Sequence, residues 1–184
     1  MDSIVPISRA AFRAWAEQQP RGRYERVDGR VVQMTPERIV HVELKFAALQ
    51  ALKAAVASSG LEYQAFGDGV TVEIGEDTDF EPDALVNLGP RPGPNDIAAP
   101  NPVIVVEMLS PGTRSIDTGE KLAGYFRVPS IQHYLIVSAR RREVVHHRRA
   151  AGAIVSTVVT EGEIALDPPG VSIGVAAIYR DVVL

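Results

Sequence analysis

Glu81-Pro82-Asp83-Ala84-Leu85-Val86-Asn87-Leu88 and Val103-Ile104-Val105-Val106-Glu107-Met108-Leu109 are two short apolar runs, each carrying a carboxylate where a buried strand should tolerate none. The second run, opened by Pro102, is apolar on both faces up to Glu107, as a central strand covered on both sides should be. The 89–101 segment between them holds Pro90, Pro92, Pro94 and Pro100 and reads as loop. An ionised carboxylate at the end of such a run is costly unless something compensates for it. A divalent cation shared by acids from adjacent strands is one compensation, and oxygen donors select hard ions such as Mg²⁺ or Mn²⁺. A strand-end acid also commonly caps a turn or pairs with a surface lysine, and spacing alone leaves both readings open.

After a Ser110-Pro111-Gly112 turn, a helix over 114–127 presents Asp117, Lys121 and Tyr125 at steps of four, ending before Pro129. A lysine beside two acids could orient a water or stabilise charge on a phosphodiester in its transition state. The same row also fits an ordinary i,i+4 ion pair, and Asp117 with Glu120 fits a capping box.

Working outward, residues 8–18 predict a short helix capped by Ser8 and stopped by Pro20. Asp28-Gly29 between strand-like runs predicts a hairpin. A longer helix over 38–58 carries Val42, Phe46, Leu49 and Val56 as an expected buried stripe, ended by Gly60. Strands are expected at 62–66 and 70–74, followed by a polar loop over 75–80. A hairpin of 131–137 with 143–148 and a strand pair of 154–159 with 163–166 follow, and then a closing segment over 171–184. This mixture indicates an α/β or α+β fold with a mixed sheet, in one domain spanning 1–184.

The 184 residues are 46% hydrophobic and 23% charged, with no cysteine, which excludes disulfides, thiolate metal sites and a cysteine nucleophile. The first 13 residues lack the apolar core of a signal peptide, and no run approaches the ~20 apolar residues of a membrane span, so a reducing cytoplasm is expected. The net charge of −4 argues mildly against a surface coated in nucleic acid. Arg140, Arg141, Arg142, His146, His147, Arg148 and Arg149 nevertheless concentrate positive charge on one hairpin. They read as a phosphate-binding patch or, slightly favoured without interleaved aromatics, as a solvated edge hairpin. Ser110, in a turn and without a Ser-His-Asp arrangement, does not read as a nucleophile.

The Glu-Pro-Asp run, the Val105-Val106-Glu107-Met108-Leu109-Ser110-Pro111 run, and Asp117, Lys121 and Tyr125 together resemble the bacterial restriction-endonuclease-like family of the PD-(D/E)XK nuclease superfamily. Tyr24-Glu25, Asp28-Gly29, His41, and Val128-Pro129 before His133-Tyr134 extend the match over most of the chain. The resemblance implies a central mixed sheet flanked by helices. It also implies a metal-dependent endonuclease acting on DNA, with Mg²⁺ or Mn²⁺ as cofactor and Asp83 and Glu107 as metal acids. The superfamily lysine position is occupied here by Leu109, and Lys121 matches the place on the following helix to which this family moves it. His41 could complete the site and Glu43 is a weaker candidate ligand, whereas Glu25 is read as structural. Leu135 stands where the family usually has tryptophan. Homodimers are common in the superfamily. A nuclease-fold binding module without catalysis is the main alternative, and a hydrolase of small phosphodiesters is a third.

Overall fold

The computed structural model describes residues 6–34, 36–109 and 116–184. The expected Ser110-Pro111-Gly112 turn and the first residues of the helix after it lie outside that set, as does the Asp117 side chain. Ser8 caps α1 (Arg9–Glu17), its hydroxyl accepting the Ala11 N–H at 3.2 Å. Asp28 and Gly29 turn β1 (Tyr24–Val27) into β2 (Arg30–Gln33) with φ of 49° and 71°. Two consecutive positive φ values are what a tight two-residue hairpin requires, and Asp-Gly meets that demand. α2 (Ile39–Ser59) ends on Gly60 in the left-handed region. Then follow β3 (Tyr63–Gly67), β4 (Val72–Ile74), β5 (Thr78–Phe80), β6 (Ala84–Leu88) and β7 (Pro102–Leu109). After α3 (Ile116–Tyr125) come β8 (His133–Ser138), β9 (Val144–Ala150), β10 (Ala153–Val159), β11 (Glu163–Leu166), β12 (Val171–Gly174) and α4 (Val175–Ile178).

Six strands form the main sheet in the order β10-β9-β8-β7-β6-β3, mixed because β7 and β8 run parallel while their other neighbours are antiparallel. The alternation of β6 and β7 divides the core. Ala84, Val86, Ile104, Val106 and Met108 pack with Leu44, Ala48 and Leu52 of α2. Leu85 and Val105 pack on the other face with Tyr125 of α3, Phe80 and Tyr134. Among the described residues, no helix is long and apolar enough to cross a membrane. The expected mixed α+β architecture, a central mixed sheet flanked by helices with extra strands, is the one observed.

Several local expectations are corrected. Val42 and Phe46 point outward, 55% and 65% exposed, and the buried residues of α2 are His41, Leu44, Lys45, Ala47, Ala48, Leu52, Ala55 and Val56. The helix carries apolar residues on both sides, so periodicity put Val42 and Phe46 on the wrong one, while Val56 is buried as expected. The expected polar loop contains β5, which is buried because Asp79 has cationic partners and Phe80 enters the core. The strand at 154–159 does not pair with 163–166: β10 adds to β9, and β11 pairs with β12. β9 is consequently an interior strand, not the edge of the sheet.

A smaller sheet, β2-β1-β5-β4, is anchored by an ionic cluster beneath it. Arg26, 1% exposed, donates from Nε to Asp79 Oδ2 at 2.6 Å and from Nη2 to the Glu76 carbonyl at 2.8 Å. Arg9 of α1 donates to the other oxygen of Asp79 at 2.5 Å. Removing one partner of a buried pair leaves an uncompensated charge, which typically costs about 3–5 kcal/mol. Asp79→Ala is therefore expected to lower the free energy of unfolding by about that much in urea denaturation, and an unchanged midpoint would contradict this role of the cluster.

Candidate active site

The antiparallel register of β6 and β7 pairs Ala84 with Val106 and Leu85 with Val105. Carried one residue further, it sets Asp83 opposite Glu107, and opposite residues share a face of the sheet. The Met108 N–H donates to Asp83 Oδ2 at 2.6 Å and fixes that rotamer. Asp83 Oδ1 lies 2.7 Å from Lys45 Nζ of α2. Glu107 Oε1 accepts from both Lys121 Nζ at 2.9 Å and the Tyr125 hydroxyl at 2.6 Å, the two α3 residues arriving one turn apart. Both bonds fall on Oε1, and Oε2 accepts none from the described residues.

Each lysine is shared with acids further out. Lys45 also bonds Glu37 and, at 3.2 Å, Asp68. Lys121 also donates to Glu25 Oε1 at 3.1 Å, and the same oxygen accepts the Glu81 N–H at 2.9 Å. Arg23 closes the outer ring, bonding Asp68 at 2.7 Å and Glu81 at 3.0 Å.

His41 lies one helical turn before Lys45 on the buried face of α2, 7% exposed. Its Nε2 is a buried polar atom with no hydrogen-bond partner among the described residues. Burial holds its pKa below the ordinary value, more than the neighbouring Asp83 charge raises it, so the imidazole is neutral at pH 7. Burial, and then the Glu107 charge, push the Asp83 carboxyl up to about 6 in spite of Lys45 and the Met108 N–H. Glu107 is raised too, by burial and by Glu25, against the pull of Lys121 and Tyr125. Burial, with Glu107 alongside, holds the Tyr125 hydroxyl far above its usual range, which keeps it a donor.

Asp83, Glu107 and Lys121, separated by up to 38 positions of sequence, are thus brought into one site, and His41 stands at its α2 side. Glu43 is not brought in: it is exposed on the opposite face of α2. Lys45 is a site residue that the sequence reading missed, although its position four after His41 put it on the same helix face. Glu25, expected to be structural, bonds Lys121 from just outside the acid pair. Among the described residues no three His, Asp or Glu side chains converge as a ready cation cluster. The available donors still suit a hard divalent ion: the Asp83 carboxylate, Glu107 Oε2 and the unpartnered His41 Nε2.

The basic hairpin is less basic than its composition. His146 and His147 are buried, and burial, aided by His133, holds His146 down at about 4. Arg149 donates to the backbone carbonyls of Phe126, Val128 and Ile131. Arg140, Arg141 and Arg142 remain exposed in the β8–β9 turn. That turn follows Ser138, which pairs with Leu109, so it sits at the end of the sheet where β7 carries Glu107. The Tyr179 hydroxyl pins it, within 2.8 Å of the Ser138 carbonyl and 2.7 Å of the Glu143 carbonyl.

A carboxyl that is higher in the folded protein than its ordinary 3.8 contributes stability in full below that value and loses it as pH rises through about 6. Asp83→Asn mimics the protonated form at every pH. Its melting temperature is expected to gain on the wild type between pH 4 and 7, by the equivalent of up to about 3 kcal/mol. A gap that stays constant over this range would show that Asp83 carries no such strain.

The family described as "Putative restriction endonuclease", Uma2, matches residues 9–178. A crystal structure of a "putative nuclease belonging to DUF820" from Anabaena variabilis is similar, with a TM-score of 0.74 over 97% of this chain and 100% of that chain. The two are 15% identical, so the likeness is one of fold. No curated protein matches the chain. The chain belongs to the Uma2 family, in agreement with the restriction-endonuclease-like resemblance read from its residues.

Proposed function

We propose that this member of the Uma2 family is an endonuclease that hydrolyses DNA phosphodiester bonds with the aid of Mg²⁺ or Mn²⁺. The observation that carries this reading is the meeting of Asp83 and Glu107 on adjacent strands with Lys121 on the second acid. Asp83, Glu107 and His41 would hold the cation. When bound, it supplies Lewis acidity toward the phosphodiester and offsets charge there. Met108 steadies Asp83 through its N–H, and Tyr125 steadies Glu107 through its hydroxyl. Lys121, 2.9 Å from Glu107, would orient the attacking water or donate to a phosphate oxygen. Lys45 adds a second ammonium beside Asp83. Water adds to phosphorus, the bond to one ester oxygen breaks, and that oxygen leaves with a proton.

One observation favours a second reading, a nuclease-fold binding module without catalysis: each acid already carries an ammonium. The two readings separate on plasmid and single-stranded DNA incubated with Mg²⁺ or Mn²⁺ beside an Asp83→Ala/Glu107→Ala control. The expected result is metal-dependent cleavage that is lost in the control. Absence of both cleavage and calorimetric Mn²⁺ binding would remove the enzymatic reading.

The exposed Arg140–Arg142 turn gives that DNA a phosphate contact at the site's end of the sheet. Replacing all three arginines with alanine is expected to weaken DNA binding for every sequence. The slope of log K against log salt should shrink by about 2–3, roughly one per arginine. An unchanged slope would take the turn out of the interface.

A further inference from the structure

Lys121 and Lys45 repeat one arrangement: each ammonium is divided between a carboxylate of the site and an acid outside it. For Lys121 the inner acid is Glu107 at 2.9 Å and the outer is Glu25 at 3.1 Å. For Lys45 the inner acid is Asp83, and the outer acids are Glu37 and Asp68. An ammonium bonded to Glu107 competes with any cation for that carboxylate. An ammonium expelled into a buried site without another anion would carry a large desolvation cost. Glu25 removes that difficulty. It is 7% exposed, its Oε1 already bonds Lys121, and the Glu81 N–H two residues before Asp83 holds that oxygen in place. It sits on β1, a strand whose neighbouring residue Arg26 is locked to Asp79. Its position therefore does not depend on Lys121.

We propose that Glu25 is a positioning residue, the standing acceptor of the Lys121 ammonium. It retains the lysine beside the site when Glu107 turns to a divalent cation, and so sets how strongly lysine and cation compete. This rests on the cation-dependent reading above. It adds to it a third carboxylate, which acts on the cation only through Lys121.

The test is a set of Mn²⁺ titrations by calorimetry on the full chain, with no substrate and no turnover. The proteins are the wild type, Glu25→Gln, Lys121→Gln and the double variant. Glutamine at 25 keeps an oxygen for the Glu81 N–H while removing the charge, and circular dichroism and melting confirm that each variant is folded. If Lys121→Gln unfolds, Lys121→Met serves in its place. Glu25→Gln is expected to weaken Mn²⁺ binding about tenfold, the scale of losing a partner that orients a metal ligand. Lys121→Gln alone is expected to tighten binding, because the competitor is gone. In the Lys121→Gln background, Glu25→Gln should change affinity by less than about twofold, the loss having been relayed by the lysine. An equal loss in both backgrounds would mean that Glu25 acts on the cation directly, and would overturn the proposal. So would an unchanged affinity in Glu25→Gln beside a wild type that binds Mn²⁺, a result that leaves the cation-dependent reading intact. A wild type that binds no Mn²⁺ would overturn both.

Discussion

The pairing register of β6 and β7 is the constraint on which the site depends. A slip of one residue would turn one acid to the opposite face of the sheet and separate the pair. Three features hold the register in place. Ala84 and Val86 go to the α2 side while Leu85 goes to the α3 side, so a slip would exchange two packed cores. The Met108 N–H reaches across to Asp83 at one end. At the other end, the irregularity after Val86 is absorbed by Asn87, whose side chain accepts the Asn101 N–H at 2.8 Å. Fold and site are therefore fixed by the same contacts.

Around that pair, the electrostatics are unevenly balanced. Two acids in a dry position would repel each other, and the fold answers by bringing one lysine to each from opposite faces: Lys45 from α2 and Lys121 from α3. The answer is partial, since both carboxyls remain raised. Natural proteins retain such tension where a site has a use for it. The neutral His41 with its unpartnered nitrogen belongs to the same pattern, a polar atom kept dry beside excess negative charge.

Much of this was legible in the sequence because the signals were local. Ser8, the Asp28-Gly29 pair, Gly60 and the proline-rich loop before Pro102 each specify a backbone conformation by their own chemistry, and each does so as expected. The two acid-bearing runs were equally plain, since a carboxylate at the end of an apolar strand needs no partner to be noticed. What failed required knowledge of distant neighbours. β5 looks polar until Asp79 is seen between Arg9 and Arg26. Val42 and Phe46 look like the inside of α2 because nothing in the sequence says that Lys45 will be buried by Asp83. Likewise, strand propensity marks residues 154–159 but cannot say that β9, not β11, will hold them.

The anchoring of the small sheet has a bearing on modularity. α1 and the β1–β2 hairpin resemble an appendage added before a self-sufficient α2-to-β9 nuclease core. Their connections contradict that picture. Arg9 and Arg26 fasten them to Asp79, four residues before Asp83 in sequence, and Glu25 sends a carboxylate onto Lys121. The first strand is thus tied to Asp79 through Arg26 and to the site through Glu25. A core trimmed to start after β2 would keep Asp83, Glu107 and Lys121, yet it would lose the outer counter-charge of Lys121 and expose the Asp79 carboxylate. For this chain, the smallest unit that retains the whole site includes its N-terminal helix and hairpin.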